Sequence, residues 1–399
     1  METTALYRPD TLRLRDALHE WGMQHIRPYA REVDKTKQMP ANLADIRAAC
    51  PLKQWSMAVA DQGLIEGEAF YGGDLDGNYV LAAVVCEALF YCDPWAYGVL
   101  PGSTIVFKVI EAIGTDEQKA RWLTPEAKKA LGDGAFALTE PHFGSDPSQV
   151  ATTARREGDT WVLNGSKMYC SDGSTAGNIV VFATLDKSLG NAGIRAFLVE
   201  PKKTPGFHVV RENEDKLGVR NWVTSSLSFE DAVIPYENML GDPEGPARGL
   251  FGALSMLNDS RPLVSAYALG IGAASLQYFT DWHAQNHQYF SKLDNLRIED
   301  EVRSMRHTLA SARRMIYHSC RLKDAGQPSR FESSAAKTAA PQAAEQVCRR
   351  VVELMGPEGA SEEHLVEKWY RDVKIFDIFE GSGQIHRILM GREVFGAGK

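Results

Sequence analysis

The spacing of the apolar residues changes twice along this chain, and this change limits its fold more than any other feature. From residue 1 to about 135, apolar side chains recur every three or four positions, as in 12–21 and 79–90, which predicts helices. Residues of about 136 to 240 instead form short runs of strand-forming side chains between turn residues. From about 248 the helical spacing returns in longer segments. The predicted order is therefore α, then β, then α.

The middle block predicts a small antiparallel β-domain. Asn164-Gly165 stands between two runs of strand-forming residues and predicts a hairpin, because this dipeptide suits a tight two-residue turn. Closely spaced strands without helices between them argue against βαβ units. The other predicted strands are Asn178–Thr184, Ile194–Val199, Phe207–Val210 and Ser225–Phe229.

The last block predicts a four-helix bundle, since three long helices are followed by a C-terminal helix from about Phe379. The fold class is therefore α+β, with an N-terminal helical domain at 1–135, a middle β-barrel-like domain at 136–245 and a helical bundle at 246–399. Thr115 is a candidate cap for a short helix that begins at Asp116. The three long helices are predicted at Leu250–Ala284, Glu299–Ala325 and Ser334–Met355.

Charge and motif content exclude several classes of function. With 44 basic and 52 acidic residues the net charge is −8, which argues against a nucleic-acid surface. The N-terminus carries an acid and no long apolar run, and no segment approaches a membrane span, so a cytoplasmic protein is expected. The six cysteines are scattered and no His-Glu-x-x-His occurs, which predicts free thiols and no metal site.

No common nucleotide-binding loop is present. Gly270-Ile271-Gly272 is the nearest match to Gly-x-Gly-x-x-Gly, but it lies inside an apolar helical segment without the third glycine. Close helix packing explains these glycines better. Any dinucleotide must be held in another way.

Four segments, in order, carry a resemblance that covers the whole chain. Residues 136–146 read FALTEPHFGSD, residues 164–171 read NGSKMYCS, and residues 259–262 read DSRP. Near the end, EKWYRD at 367–372 is followed by IFEGSGQI at 378–385. These segments resemble the signature motifs of acyl-CoA dehydrogenases, and DSRP matches the start of a helix in that family. The α–β–α order is also that family's architecture.

The resemblance implies FAD-dependent α,β-dehydrogenation of an acyl-CoA thioester in fatty acid metabolism. It also implies an electron-transfer flavoprotein or similar acceptor, and a homo-oligomer, either a dimer or a homotetramer. Thr139 would bind the pyrimidine edge of the flavin, Ser171 would lie near N5, and Tyr169 would cover a ring face. Ser145 would meet phosphates of cofactor or substrate, while Asn258 and Arg261 would lie on the CoA side. Further cofactor contacts are expected from Phe136, Leu138, Ser382 and Gln384.

Glu380 is the candidate catalytic base. Removing a proton α to a thioester needs a base, and the apolar run before Glu380 predicts a carboxyl group whose charged form is disfavoured. Gly381 lets a substrate approach the backbone closely. The family places its usual catalytic Glu here. Some members use an acid just before the arginine that matches Arg261, but that position is Ser260.

Two positions depart from the family pattern. Relatives carry an arginine near 286–290 that reaches a neighbouring subunit's FAD, and a later glutamine on the same cofactor; here these stretches hold Asn286 and Glu353. Losing one charge-assisted contact costs about 1.5–3 kcal/mol. Three interpretations stay open: an arginine at 297, 303 or 306 substitutes, FAD is held loosely, or a different subunit completes a heterotetramer.

Two other functions compete with the acyl-CoA interpretation. The first keeps the chemistry and changes the substrate to an acyl or aminoacyl group, such as prolyl, on a carrier protein. The second is a non-catalytic partner subunit of a heterotetrameric dehydrogenase. The lost Arg and Gln positions favour the second, whereas the retained Glu380, Thr139, Ser171 and Gln384 argue against it.

Overall fold

The computed structural model describes residues 7–52, 77–99, 105–243, 245 and 249–396. Its N-terminal part is helical, as predicted. Within these ranges, no helix is long and apolar enough to cross a membrane. The helices before the sheet are α1 (Pro9–His25), α2 (Ala30–Thr36), α3 (Leu43–Ala48), α4 (Asn78–Cys92), α5 (Ile105–Ile113), α6 (Asp116–Trp122) and α7 (Pro125–Leu131).

Local signals in this part behave as expected. Thr115 caps α6 by accepting a hydrogen bond from the backbone N–H of Gln118, whose side chain accepts one from the backbone of Thr115 in return. Helix α4 is apolar around most of its surface and is buried between neighbouring helices. Its one acid, Glu87, pairs with Arg313 of a later helix at 2.9 Å between Oε1 and Nε, so the N-terminal part is tied to the C-terminal helices.

An eight-stranded sheet forms the middle of the described chain. The strand order is β6-β7-β3-β2-β4-β5-β8, and β1 lies beside β4. Most neighbours are antiparallel, as predicted, but β1 runs parallel to β4, so the sheet is mixed. The strands are β1 (Gly134–Ala137), β2 (Thr153–Glu157), β3 (Thr160–Ser171), β4 (Asn178–Thr184), β5 (Ile194–Val199), β6 (Phe207–Arg211), β7 (Thr224–Pro235) and β8 (Met239–Leu240).

The predicted hairpin at Asn164-Gly165 is wrong. Strand β3 passes through both residues without turning, and the chain reverses earlier, between β2 and β3. Asn164 and Gly165 instead mark an irregularity in the pairing of β3 with β7, where the side chain of Asn164 exchanges two hydrogen bonds of 2.9 Å with Asp231. The Asn-Gly dipeptide, which tolerates unusual backbone angles, therefore forms a β-bulge here and not a turn.

The C-terminal part contains three long helices, as predicted, but several begin at other residues; the third, for example, begins at Arg330 and not at Ser334. Helix α9 begins at Lys292, before the predicted start, because Ser291 caps it. The last helix begins at Gly383 and not at Phe379, because Ser382 caps it and Glu380 has a left-handed φ of 56°. The helices are α8 (Gly249–Asn286), α9 (Lys292–Asp324), α10 (Arg330–Met355), α11 (Val366–Val373) and α12 (Gly383–Phe395).

The glycines of α8 serve helix packing, as predicted. A Cβ on Gly270 would meet the backbone of α4, with the nitrogen of Tyr91 at 2.8 Å and the carbonyl oxygen of Glu87 closer still. A Cβ on Gly272 would lie 3.0 Å from the Cα of Ala344 in α10. Helix α8 is thus packed against both neighbours at backbone distance. All six cysteines are free thiols, and five of them are buried.

Candidate active site

A buried ion pair holds the first signature segment against β3. The ammonium of Lys167 donates to Glu140 Oε1 at 2.8 Å and to the carbonyl of Leu138 at 3.1 Å. The carboxylate of Glu140 also accepts the backbone N–H groups of Ala151 and Thr152, at 2.7 and 2.9 Å. Burial opposes ionisation of Glu140, but Lys167 and these donors together lower its pKa. This pair fixes the loop that carries Thr139 and Ser145.

The end of β3 presents an aromatic ring and a hydroxyl to the same region. Pairing with β7 is irregular between Lys167 and Cys170, and Tyr169 there has a left-handed φ of 57°. The Tyr169 side chain is 58% exposed, which is unusual for a large ring in a sheet. Ser171 follows at the strand end and is also exposed.

Several predicted cofactor residues have hydroxyl or amide groups without a partner. Within the described part of the chain, the side chains of Thr139, Ser145, Ser171 and Gln384 make no hydrogen bond. A Cβ on Gly144 would meet only the methyl group of Thr139, so the space beside that loop is open. Polar groups of this kind suit a ligand that offers hydrogen-bonding atoms along one edge.

Other predicted cofactor residues are engaged within the protein. Phe136 packs against Phe182, with ring centroids 4.9 Å apart, and its carbonyl accepts the Cys170 thiol. Leu138 is buried beside Lys167. The hydroxyl of Ser382 accepts the backbone N–H of Ile385 and caps α12. For these residues the structure gives a packing or capping role.

The carboxyl group of Glu380 lies against α8. Its Oε2 accepts a hydrogen bond of 2.7 Å from the hydroxyl of Ser260. Burial raises the pKa of Glu380, and this effect outweighs the Ser260 hydrogen bond and the charges of Lys337 and Arg261, which lower it. A carboxyl group with a raised pKa is a stronger proton acceptor once it is ionised.

Two cations lie near this carboxyl group. Arg261 is only 6% exposed, and its charge favours ionised Glu380. The expectation that Arg261 lies near a helix start is wrong, because α8 begins at Gly249 and Arg261 is in its interior, before Pro262. Lys337 of α10 is fully buried beside the same segment. The side chain of Asn258, the other predicted CoA contact, lies outside the described residues.

An aromatic cluster adjoins the carboxyl group. Tyr97 and Tyr267 both have pKa values raised by burial, and the charge of Glu380 contributes to each. Asp172, next to Ser171, contributes to the same shift at Tyr97, so carboxyl groups from the end of β3 and from the Glu380 segment are both near this hydroxyl. Tyr267 stacks on Phe90 at 3.9 Å between ring centroids. The motif segments of the sheet and of the C-terminal helices therefore meet around Tyr97.

Sequence reasoning missed Tyr97, Lys337 and His386. For Lys337 a signal exists, because the helical spacing of the buried residues Ser333, Ala336 and Ala340 places position 337 on the buried face of α10. A lysine on such a face needs a special environment. Tyr97 follows an apolar helix and carries no comparable signal.

The two departing positions lie on the helices of the C-terminal part. Asn286 ends α8 and donates to the carbonyl of Trp282 at 2.8 Å. Glu353 is exposed and pairs with Arg349 and Arg350, at 3.3 and 2.9 Å, so its charge is compensated. The proposed substitutes Arg297 and Arg303 are exposed and lie near acids of their own helix, Asp294 and Asp300; Arg306 is also exposed.

Known proteins match this chain over nearly its full length. Three family models match: acyl-CoA dehydrogenase N-terminal domain at 8–130, middle domain at 135–232 and C-terminal domain at 247–395. The short-chain specific acyl-CoA dehydrogenase of Rattus norvegicus mitochondria is 34% identical over 381 residues, which cover 94% of this chain and 88% of that protein.

Solved structures agree with these matches. Butyryl-CoA dehydrogenase from Megasphaera elsdenii is 30% identical, covers 97% of this chain and 98% of its own, and has a TM-score of 0.81. A glutaryl-CoA dehydrogenase from Mycobacterium smegmatis in complex with FADH2 is 26% identical, covers 100% of this chain and 97% of its own, and has a TM-score of 0.83. The predicted fold class is confirmed. The chain belongs to the acyl-CoA dehydrogenase family.

Proposed function

We propose that this chain dehydrogenates an acyl-CoA thioester between its α- and β-carbons, with FAD as cofactor and Glu380 as the base. The observation that supports this most is the position of Glu380. Its carboxyl group lies against Ser260 at 2.7 Å, has a raised pKa and adjoins a cluster of aromatic side chains. A base of this kind suits removal of a weakly acidic proton next to a carbonyl.

The residues at the end of β3 and in the first signature loop fit a flavin. Thr139, Ser145 and Ser171 offer side-chain hydroxyls without partners in the described chain, and Tyr169 offers an exposed ring. When bound there, FAD supplies the acceptor for the hydride that leaves the β-carbon. Glu140 and Lys167 hold the loop in place without touching the cofactor themselves, since both side chains are buried.

Glu380 acts on the α-proton in this proposal. The ionised carboxyl group takes the proton, and Ser260 orients the carboxylate through its hydroxyl. The positive charges of Arg261 and Lys337 favour the ionised form, which is the form that accepts the proton. The backbone N–H of Glu380 is a candidate donor to the thioester carbonyl, where negative charge develops as the proton leaves.

A short acyl group is the proposed substrate class. The relative from Rattus norvegicus is named as short-chain specific and the structural neighbour from Megasphaera elsdenii as a butyryl-CoA dehydrogenase. Tyr267, whose hydroxyl is influenced by the charge of Glu380, packs with Phe90 and Phe376, and the three ring centroids lie within 6.1 Å of one another. Bulky side chains leave less volume for a long alkyl chain.

A homo-oligomer is the proposed assembly, and electron-transfer flavoprotein or a similar protein is the proposed acceptor. Apolar side chains of the C-terminal part are exposed, including Ile388 at 50%, Val394 at 63% and Phe395 at 83% on α12. Exposed apolar groups of this size commonly mark a protein interface. The ion pairs of Glu353 remove the repulsion that a lone carboxylate would bring to a neighbour's cofactor.

The test is the visible absorbance of the purified chain after addition of FAD, then anaerobic mixing with acyl-CoAs of increasing length. We expect a flavin spectrum that bleaches with a short acyl-CoA. Glu380→Gln should keep the flavin spectrum and slow bleaching by about 10²–10⁴-fold. Size-exclusion chromatography of the same sample tests the homo-oligomer.

Other outcomes identify the competing functions. If an acyl or aminoacyl carrier protein bleaches the flavin and no acyl-CoA does, the substrate is the carrier-bound group and not an acyl-CoA. A chain that takes up no FAD by itself would favour the partner-subunit interpretation, and the search would turn to the subunit that completes it. Bleaching that is undiminished in Glu380→Gln would refute the assignment of the base.

A further inference from the structure

The segment that carries Glu380 has an unusual backbone. Glu380 has a φ of 56° and Gly381 a φ of 92°, so two consecutive residues lie in the left-handed region. A residue with a side chain is disfavoured there and needs contacts that hold it. These contacts determine where the Glu380 carboxyl group points.

Lys337 of α10 supplies such contacts. Its ammonium donates to the carbonyl of Phe376 at 2.6 Å and to the carbonyl of Gly381 at 3.2 Å, so it joins the two ends of the segment that contains Glu380. His386 of α12 holds the middle, with Nε2 3.3 Å from the carbonyl oxygen of Glu380. A Cβ on Gly381 would lie 2.9 Å from the same nitrogen.

The charge of Lys337 has no carboxylate in hydrogen-bonding contact in the described ranges. Burial lowers the pKa of Lys337 to about 8, and the charges of Glu380 and Asp377 oppose that shift while Arg261 adds to it. His386, on the other side, is neutral near pH 7, because burial and the two cations lower its pKa to about 4. The ammonium therefore remains charged near neutral pH and acts on the nearby carboxylates Glu380 and Asp377.

We propose that Lys337 is a positioning residue for the base. Its ammonium holds residues 376–381 in the conformation that directs Glu380, and its charge favours the ionised, proton-accepting form of that carboxyl group. The inference rests on the proposed function in naming Glu380 the base. The coupling between the two side chains is testable without it.

Two variants distinguish the effect of the Lys337 hydrogen bonds from the effect of its charge. Lys337→Met removes both the donors and the charge, whereas Lys337→Gln keeps a donor for the carbonyls and removes the charge. In the FAD-loaded enzyme, we expect the acid limb of the pH profile for flavin reduction to move to higher pH in both variants. The maximal rate should fall by up to about 100-fold in Lys337→Met and less in Lys337→Gln.

Lys374→Met is the matched control. Lys374 lies in the adjoining turn and also binds α10, through Glu345 at 2.6 Å, but it does not contact the carbonyls around Glu380. Its removal should leave the acid limb unchanged. An equal shift in Lys374→Met would mean that any loosening of the segment has this effect, and the proposal would fail.

A direct titration makes the result independent of turnover. Infrared spectra of protein with isotope-labelled glutamate, after subtraction of the Glu380→Gln spectrum, report the protonation of Glu380 alone. We expect its midpoint to rise in Lys337→Gln, and an unchanged midpoint would overturn the proposal. If Glu380→Gln still reduced flavin normally, the proposed function would fail while this midpoint still decided the role of Lys337.

Discussion

Two buried lysines lie on the two sides of the candidate site, and their surroundings differ. Lys167 on the sheet side donates to the carboxylate of Glu140, which also accepts two backbone N–H groups. Lys337 on the helical side donates to backbone carbonyls, with its charge directed towards a carboxyl group that it does not hydrogen-bond in the described structure. Burial lowers the pKa of both ammonium groups to about 8.

We interpret the charge of Lys167 as structural, whereas the charge of Lys337 has the functional role proposed above. On the sheet side the buried charges compensate each other directly, with 2.8 Å between the Lys167 ammonium and the Glu140 carboxylate. On the helical side the charge remains effective at Glu380, whose pKa stays raised because burial outweighs it. In the proposed function, the sheet-side pair holds the loop in place and the helical-side charge acts on the base.

The largest effect is expected from breaking the sheet-side pair. Lys167→Met leaves the carboxylate of Glu140 buried without its cation, which should lower the free energy of unfolding by about 3–5 kcal/mol. Urea unfolding followed by circular dichroism measures this change. The double variant Lys167→Met with Glu140→Gln should recover part of the loss, because no unpaired charge remains buried.

An exposed ion pair within β2 is the control. Arg155 and Glu157 form an ion pair at 2.8 Å with both side chains 55% exposed. Glu157→Gln should therefore change the free energy of unfolding by less than about 1 kcal/mol. Equal losses in Glu157→Gln and Lys167→Met would contradict the structural role given to the buried pair.

The next effect tests the strained segment on the helical side. Gly381→Ala places a Cβ 2.9 Å from His386 at a φ of 92°, and we expect it to cost about 1–3 kcal/mol of stability and to slow flavin reduction. Gly391→Ala lies in α12 with open space around the new Cβ, so it should instead stabilise by up to about 1 kcal/mol. Thermal unfolding of both variants shows whether Gly381→Ala lowers the stability and Gly391→Ala raises it.

A smaller effect concerns the pH dependence of the base. Ser260 donates a hydrogen bond to the carboxyl group of Glu380. This hydrogen bond lowers the pKa of Glu380, whereas burial raises it. Ser260→Ala should therefore raise the pKa further and move the acid limb of flavin reduction to higher pH. Stopped-flow rates across the acid range test this, and a limb that moves to lower pH would contradict the geometry.

The smallest effect is on the stability of Glu380→Gln. Because the pKa of Glu380 is higher in the folded chain than in the unfolded chain, ionisation costs stability. This cost is absent at pH values below the pKa of Glu380 in the unfolded chain, and it is complete at pH values above the pKa in the folded chain. We expect Glu380→Gln to raise the melting temperature near neutral pH and to have no such benefit in acid. Calorimetry at both pH values provides the comparison.

Most of the fold could be predicted from the sequence, because the spacing of apolar residues indicates which face of a helix or strand is buried. Strands β4 and β5 have the predicted bounds, and Thr115 caps α6 as expected. The hairpin at Asn164-Gly165 failed because a positive φ is needed by bulges as well as by turns, and only the pairing with β7 distinguishes them. The parallel pairing of β1 with β4 is likewise a long-range contact without a local signal.

The site residues that lie in sequence motifs could be predicted. Those that reach the site only through tertiary contacts could not. Glu380 and the hydroxyls of Thr139 and Ser171 were named from the motifs, and their roles stay predictions. Tyr97 and Lys337 were missed, because their proximity to Glu380 depends on how α10 and the turn after α4 pack. Asp172 was missed as well, although it directly follows a predicted residue.

The backbone contact between α4 and α8 limits which substitutions the core beneath it can accept. Because Gly270 brings the two helices to main-chain distance, they cannot move closer, and a side chain at 270 would force them apart. The spacing behind Phe90 and Tyr267 is therefore fixed by the main chain. Substitutions in this part of the core are therefore expected to change the rings and to leave the distance between the two helices unaltered.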